Sequence, residues 1–150
     1  MMIRPLMRAE LSKVHPLLKM FAEEVKLAGG YSPERFEELW APMMELGFAE
    51  IFVAGDSSGV GGVLGATYVP DLFSAVQAAQ SQFWFVDPQH RHGSASARLF
   101  SAFENEAKRR GAQKYFVGHK IGVHEEAMKE FFVRHGYRLG ENIYWKNLCP

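Results

Sequence analysis

Cysteine is almost absent from this 150-residue sequence. The one thiol is Cys149, so no disulfide can close within the chain, and the bridged framework of small secreted domains is excluded. An excess of one charge is also missing. Seventeen Lys and Arg face seventeen Asp and Glu, a formal net charge of zero, which argues against a general nucleic-acid binder, whose affinity comes from surplus cations facing phosphates. Any anion site must therefore be local. No apolar run approaches the roughly 18 residues of a membrane span. Arg4 and Arg8 interrupt the short apolar start, so no signal peptide and no membrane partner is expected, and a soluble cytoplasmic protein follows. Repeats, low-complexity tracts and linkers are lacking too, which leaves one domain over residues 1–150. What is present is 47% hydrophobic and 23% charged residues, the balance of a soluble chain able to bury a core.

Residue order divides the chain into elements. Residues 2–7 suit a short strand. Behind Ser12, a candidate N-cap, Val14, Leu17, Leu18, Phe21, Val25 and Ala28 recur at helical spacing until Gly29 and Gly30 stop the run. Ser32 then caps a second helix with Pro33 in its first position and Phe36, Leu39, Trp40 and Met43 on one face, and Pro42 should kink or end it. Residues 51–54 and 60–69 read as strands joined by a turn at 55–59. Residues 72–79 carry no pattern that fixes a type. Residues 82–86, rich in aromatics, suit a strand buried on both faces. From Ser96, the residues Leu99, Phe100, Phe103 and Ala107 form a helical stripe, with Glu104/Lys108 and Glu106/Arg110 spaced for ion pairs and Gly111 as the stop. Residues 114–117 read as a strand and 125–135 as a helix with Met128, Phe131 and Phe132 inward, closed by Gly136. Residues 137–139 and 143–148 read as a final strand pair. The order is that of an α+β domain around one mainly antiparallel sheet, with βα units in its second half.

Residues 83–100 carry the chemistry. A strand passes through Asp87 and Pro88 into a turn of small and basic residues and then a helix, whose first amides have no intrahelical partner and bind anions. Gly93, Ser94, Ala95 and Ser96 let a phosphate approach the main chain, and the Arg91 guanidinium can pair with it through two N–H groups. An ordinary βα turn with a serine cap and an exposed arginine has the same pattern, and the residues alone do not decide between the two.

This segment resembles motif A of the GNAT family of N-acetyltransferases: Arg or Gln, two residues, Gly, one residue, then Gly or Ala. Arg91 opens the motif, His92 and Gly93 are its spacer, and Ser94 and Ser96 flank Ala95 where the family has small residues. Both glycines are serine here, which puts a glycine-type turn in question. The closing run from Phe131 to Tyr137 resembles the family's aromatic pair followed by Gly and an aromatic. More loosely, the chain resembles the short acetyltransferase-like proteins encoded in phages and prophages. The resemblance implies a sheet of about six or seven strands flanked by four helices, and transfer of the acetyl group of acetyl-CoA, the cosubstrate, to an amine. It places the CoA pyrophosphate on Arg91, His92, Gly93, Ser94, Ala95 and Ser96. Pantetheine would run beside Phe85 and Val86, where a main-chain N–H polarises the thioester carbonyl and the strand splays from its neighbour. A homodimer is also expected from the family.

In the family a tyrosine at the position of Phe132 often supplies a proton to the departing thiolate, and Phe132 has none to give. The candidates for proton transfer are His119, beyond the strand at 114–117, and His124 and Glu125 shortly after it. For each of them a surface loop residue is the favoured reading. Gln82 is not ionisable, and Tyr144 suits strand packing better than the cleft. A catalytically silent protein of the same fold, binding CoA or a protein partner, is the alternative reading. Tyr31, Phe36 and Trp40 suggest an apolar rim for the acceptor. The glycine-rich run 59–65 lacks the dinucleotide-binding spacing and reads as a hairpin. His90, His92, His119 and His124 lack acidic or thiol companions, so no metal is expected. The cations Lys108, Arg109 and Arg110 suit a helix C-terminus and not a nucleic acid.

Overall fold

The computed structural model describes residues 1–120 and 122–148; Cys149, and with it the disulfide question, lies outside the described residues. The strands are β1 (Met2–Pro5), β2 (Ala49–Asp56), β3 (Gly59–Pro70), β4 (Gln77–Val86) and β5 (Lys114–Phe116); the helices are α1 (His15–Glu24), α2 (Pro33–Glu45), α3 (Ala95–Arg109) and α4 (Glu125–Arg134). One sheet runs in the order β1-β2-β3-β4-β5. Its ladders are antiparallel except the last, where β4 and β5 are parallel.

Alternation along the strands builds two cores. On one face Ile51, Val53, Val63 and Phe85 pack with Leu11 and Val14 of the segment ahead of α1, Leu17 and Leu18 of α1 and Trp40 of α2. On the other Phe52, Ala54, Leu64 and Val86 pack with Leu99, Phe100 and Phe103 of α3 and with Phe132 of α4. The α3 stripe expected from spacing is therefore buried as a unit. Ser32 caps α2, its hydroxyl accepting the Arg35 N–H at 3.2 Å. Glu106 pairs with Arg110 at 2.8 Å as the spacing implied, whereas Glu104 takes the Tyr137 hydroxyl at 2.8 Å. The glycine-rich run forms the start of β3, with Gly65 lying under the Phe83 ring where any Cβ would overlap it.

Several expectations are corrected. Ser12 caps no α-helix: residues Arg8–Val14 form a 3-10 segment and α1 starts at His15, ahead of Pro16. The helix ends at Glu24, before Val25 and Ala28, and Lys26 turns the chain with a left-handed φ of 51°. Of the two outcomes expected at Pro42, a kink or an end, the second does not occur: α2 runs on to Glu45. Residues 77–79, left untyped by their composition, begin β4. The final strand pair is not formed, so the sheet has five strands among the described residues, not six or seven. The edge those strands would extend, β5, offers only three residues, and an unsupported hairpin is marginal in water. Leu139, Ile143, Tyr144, Trp145 and Leu148 are instead exposed.

Candidate active site at the carboxyl end of β4

Two irregularities open the sheet at β4. Gly65 pairs with Phe83 and Ala66 with Ser81, so Gln82 is the extra residue of a bulge, the device that re-aims side chains next to many sites. Beyond it β5 falls away, because β5 pairs only with Ala78, Ala79 and Gln80. Among the described residues, the main chain from Ser81 to Val86 thus has a ladder on its β3 side alone. The Asp87 N–H donates to the Gly61 carbonyl at 2.9 Å. By antiparallel alternation Phe85 exchanges with Val63, while the amides of Trp84 and Val86 face the gap.

The gap leads to the start of α3. Asp87 caps the short 3-10 turn Pro88–His90 by accepting the Gln89 N–H at 2.9 Å. The first bond of α3 runs from the Arg98 N–H to the Ser94 carbonyl, 3.0 Å, so the amides ahead of Arg98 lack an intrahelical partner. Neither Ser94 nor Ser96 has a positive φ. The turn therefore needs no glycine conformation, and the two serines cost it nothing in backbone strain. His92, Gly93 and Ser94 are exposed, and Ala95, the first residue of α3, is buried.

Arg91 is not standing free above those amides. Its Nε donates to the Val86 carbonyl at 2.8 Å, and Nη1 and Nη2 reach the two carboxylate oxygens of Glu24 at 2.8 and 2.9 Å. The guanidinium also lies 5.1 Å from the centre of the Phe85 ring. His124, the left-handed residue that opens α4, approaches the same pair, with Nε2 3.3 Å from Arg91 Nη1 and 3.8 Å from Glu24. The end of α1, the β4–α3 turn and the start of α4 are tied together at this point.

The other sequence-derived candidates are dispersed. His119 stacks on Phe132 at 6.3 Å between ring centres, and its Nδ1 is buried with no hydrogen-bond partner among the described residues. Glu125 accepts the Gly122 N–H at 3.3 Å and pairs with Lys129, contacts that hold its carboxyl below the ordinary range and weaken it as a base. Tyr144 is exposed and does not enter the gap. Arg109 and Arg110 are engaged by Glu106. Among the described residues no three His, Cys, Asp or Glu side chains are grouped to hold a metal.

Beside the bulge a cavity of about 550 Å³ opens between α1, α2 and β4, lined among others by Phe21, Tyr31, Phe36, Trp40, Gln82 and Phe83. The three aromatics expected as an apolar rim are all in its wall. Gln82 is fixed by donating to Thr67 Oγ1 at 2.9 Å. A second cavity, about 580 Å³, lies at the β2–β3 hairpin and includes none of these residues. Sequence reasoning missed Glu24, and it missed His15, which bonds to Tyr31, and Glu37, which bonds to His15; no local spacing links residues on separate helices.

No protein-family model and no curated relative matches the sequence. Solved structures do match. A ribosomal-protein-alanine N-acetyltransferase from Brucella melitensis biovar Abortus superposes with a TM-score of 0.75 at 15% identity, over 99% of this chain and 100% of its own. An aminoglycoside acetyltransferase from an uncultured soil metagenomic sample, in complex with trehalose, gives 0.79 at 17% identity over 99% and 96%. A predicted acetyltransferase from Clostridium acetobutylicum, with acetyl-CoA, gives 0.79 at 10% identity over 98% and 96%. Together with the β4 bulge, the splayed β4–β5 edge and the helix that follows, these likenesses show that the chain has the GNAT acetyltransferase fold.

Proposed function

We propose that the chain is an acetyl-CoA-dependent N-acetyltransferase acting by direct attack of an amine on the thioester. The observation that carries this reading is the departure of β5 from β4 after Gln80, which leaves unpaired amides running toward a helix start lined by small residues. The amides ahead of Arg98 would hold the pyrophosphate, joined by Arg91 once it exchanges Glu24 for phosphate. The Trp84 or Val86 N–H would donate to the thioester oxygen as charge develops on it, a contribution that a preorganised donor makes without reorganisation. The acceptor amine would enter the cavity walled by Tyr31, Phe36 and Trp40. Phe132 cannot protonate the thiolate; the proton would come from solvent or from His119, whose unpartnered Nδ1 is next to that ring.

A soluble, cytoplasmic setting is part of the same reading; among the described residues no helix is long and apolar enough to cross a membrane. The exposed apolar residues between 139 and 148 and the open edge of β5 suit a second copy of the chain, giving a homodimer. Phe132 and the Arg91–Glu24 pair favour the second reading, a silent protein that binds CoA without turnover. A screen of amines for thiol release from acetyl-CoA separates the two: release identifies the enzyme, and binding without release identifies the silent form.

A further inference from the structure

Tyr31 lines the cavity beside β4, and its hydroxyl is joined in series to two side chains from other elements that lie outside the lining. His15 opens α1, Tyr31 stands in the following loop, and Glu37 lies within α2. Their side chains act in series: the Tyr31 hydroxyl is 2.6 Å from His15 Nδ1, and His15 Nε2 is 2.7 Å from Glu37 Oε1. An ionised carboxylate only accepts, so Nε2 carries the hydrogen. Nδ1 of the neutral ring is then the acceptor, and the Tyr31 O–H must donate to it. The remaining lone pairs of the Tyr31 oxygen are left for a ligand in the cavity that Tyr31 lines. The rest of the wall is mainly apolar, with Gln82 and Thr67 bonded to each other.

We propose that Tyr31, His15 and Glu37 form a relay that takes the proton from a primary ammonium group carried on an apolar body and bound in this cavity. The inference rests on the acetyl-transfer reading, since only a neutral amine can attack a thioester. In the step, an ammonium N–H bond breaks and its electron pair stays on nitrogen. The proton goes to the Tyr31 oxygen as the original Tyr31 proton moves to His15 Nδ1. The products are a neutral amine, a neutral phenol and an imidazolium whose charge Glu37 balances. Tyr31 touches the substrate; His15 and Glu37 act through it. Burial, with Glu37 and Glu34 nearby, holds the phenol above its ordinary range, so Tyr31 passes a proton on and does not accumulate as phenolate. His15 is 19% exposed and shielded by the edge of the Phe36 ring, whereas Glu37 is 46% exposed, which gives the proton an exit to water.

The test uses the full chain, saturating acetyl-CoA and two probes of similar shape: benzylamine, an ammonium ion at neutral pH, and aniline, neutral there. His15→Gln, Glu37→Gln and Tyr31→Phe should each lower kcat/KM for benzylamine about 100-fold, the lower end of what a positioned proton acceptor contributes. For aniline the change should stay within about threefold, since no proton has to leave before attack. Tyr31→Phe removes one oxygen and keeps the ring, and unchanged acetyl-CoA affinity by calorimetry confirms an intact fold. Equal losses for both amines, no loss for either, or wild-type turnover of aniline alone would overturn the relay while leaving acetyl transfer standing. Failure of the wild-type chain to release thiol with any amine would overturn the function itself, and the relay with it.

Discussion

Glu24→Gln should tighten the binding of acetyl-CoA, although Glu24 belongs to α1 and not to the turn that receives the phosphates. In the structure its carboxylate occupies both arms of the Arg91 guanidinium, at 2.8 and 2.9 Å. A guanidinium engaged in this way cannot also grip a phosphate through the same two N–H groups. The side chains are 27% and 31% exposed, so water screens the pair in part. Such a pair is worth about 1 kcal/mol, near the upper end for partly exposed ions because it is two-pronged. Glutamine keeps the shape and one acceptor oxygen but removes the charge, so releasing Arg91 becomes easier by about that amount. The dissociation constant should fall about fivefold. Arg91→Ala should act in the opposite direction, losing a charge-assisted contact of about 1.5–3 kcal/mol and weakening binding by about 10- to 150-fold. Titration calorimetry with acetyl-CoA on the three proteins reads both effects. Weaker binding by Glu24→Gln, or unchanged binding by Arg91→Ala, would refute the idea that Arg91 leaves Glu24 for the pyrophosphate.

Three further outcomes follow from the structure. Phe103 is fully buried between Phe100 and Tyr115, so Phe103→Ala should cost about 3–5 kcal/mol in urea unfolding; a loss below about 1 kcal/mol would show that α3 is not the centre of its core. The Glu10 carboxyl is lowered to about 2 by hydrogen bonds from Arg4, Lys13 and the Met7 N–H. A lowered folded-state value stabilises above the unfolded value of 4.5 and loses that contribution as pH falls from 4.5 toward 2. Wild-type stability should therefore drop more steeply than that of Glu10→Gln across this window, and parallel curves would contradict the assignment. A chain ending at Arg138 keeps the Tyr137 hydroxyl bond to Glu104 and should remain folded but monomeric by light scattering, against a dimer expected of the full chain; the same oligomeric state for both would remove the tail from the proposed interface.

Much of this architecture is legible in the sequence because its signals are local. Ser32 before Pro33, the stripe Leu99, Phe100, Phe103 and Ala107, and glycines at 111 and 136 mark helix starts, faces and stops within a few residues of where they act. The turn 91–96 is likewise a contiguous pattern. The bulge at Gln82 is not, since it is a property of two strands in register and not of one. The Arg91–Glu24 pair joins residues 67 positions apart, and the Tyr31–His15–Glu37 series joins two helices and the loop between them. The final strand pair misled for the converse reason. Residues 143–148 have strand composition, but the sheet edge available to them is three residues long, and a strand needs a partner as well as a pattern.

In the proposed complex acetyl-CoA lies along the unpaired edge of β4 with its pyrophosphate at the start of α3. Thermal unfolding with and without acetyl-CoA tests this most directly. Ligand at 100 times its dissociation constant adds about 2.7 kcal/mol, which for a domain of this size raises the midpoint by about 5–10 °C. That rise is expected for the wild-type chain, and a smaller one for Arg91→Ala at the same concentration. An unchanged midpoint up to millimolar acetyl-CoA would contradict the proposed complex.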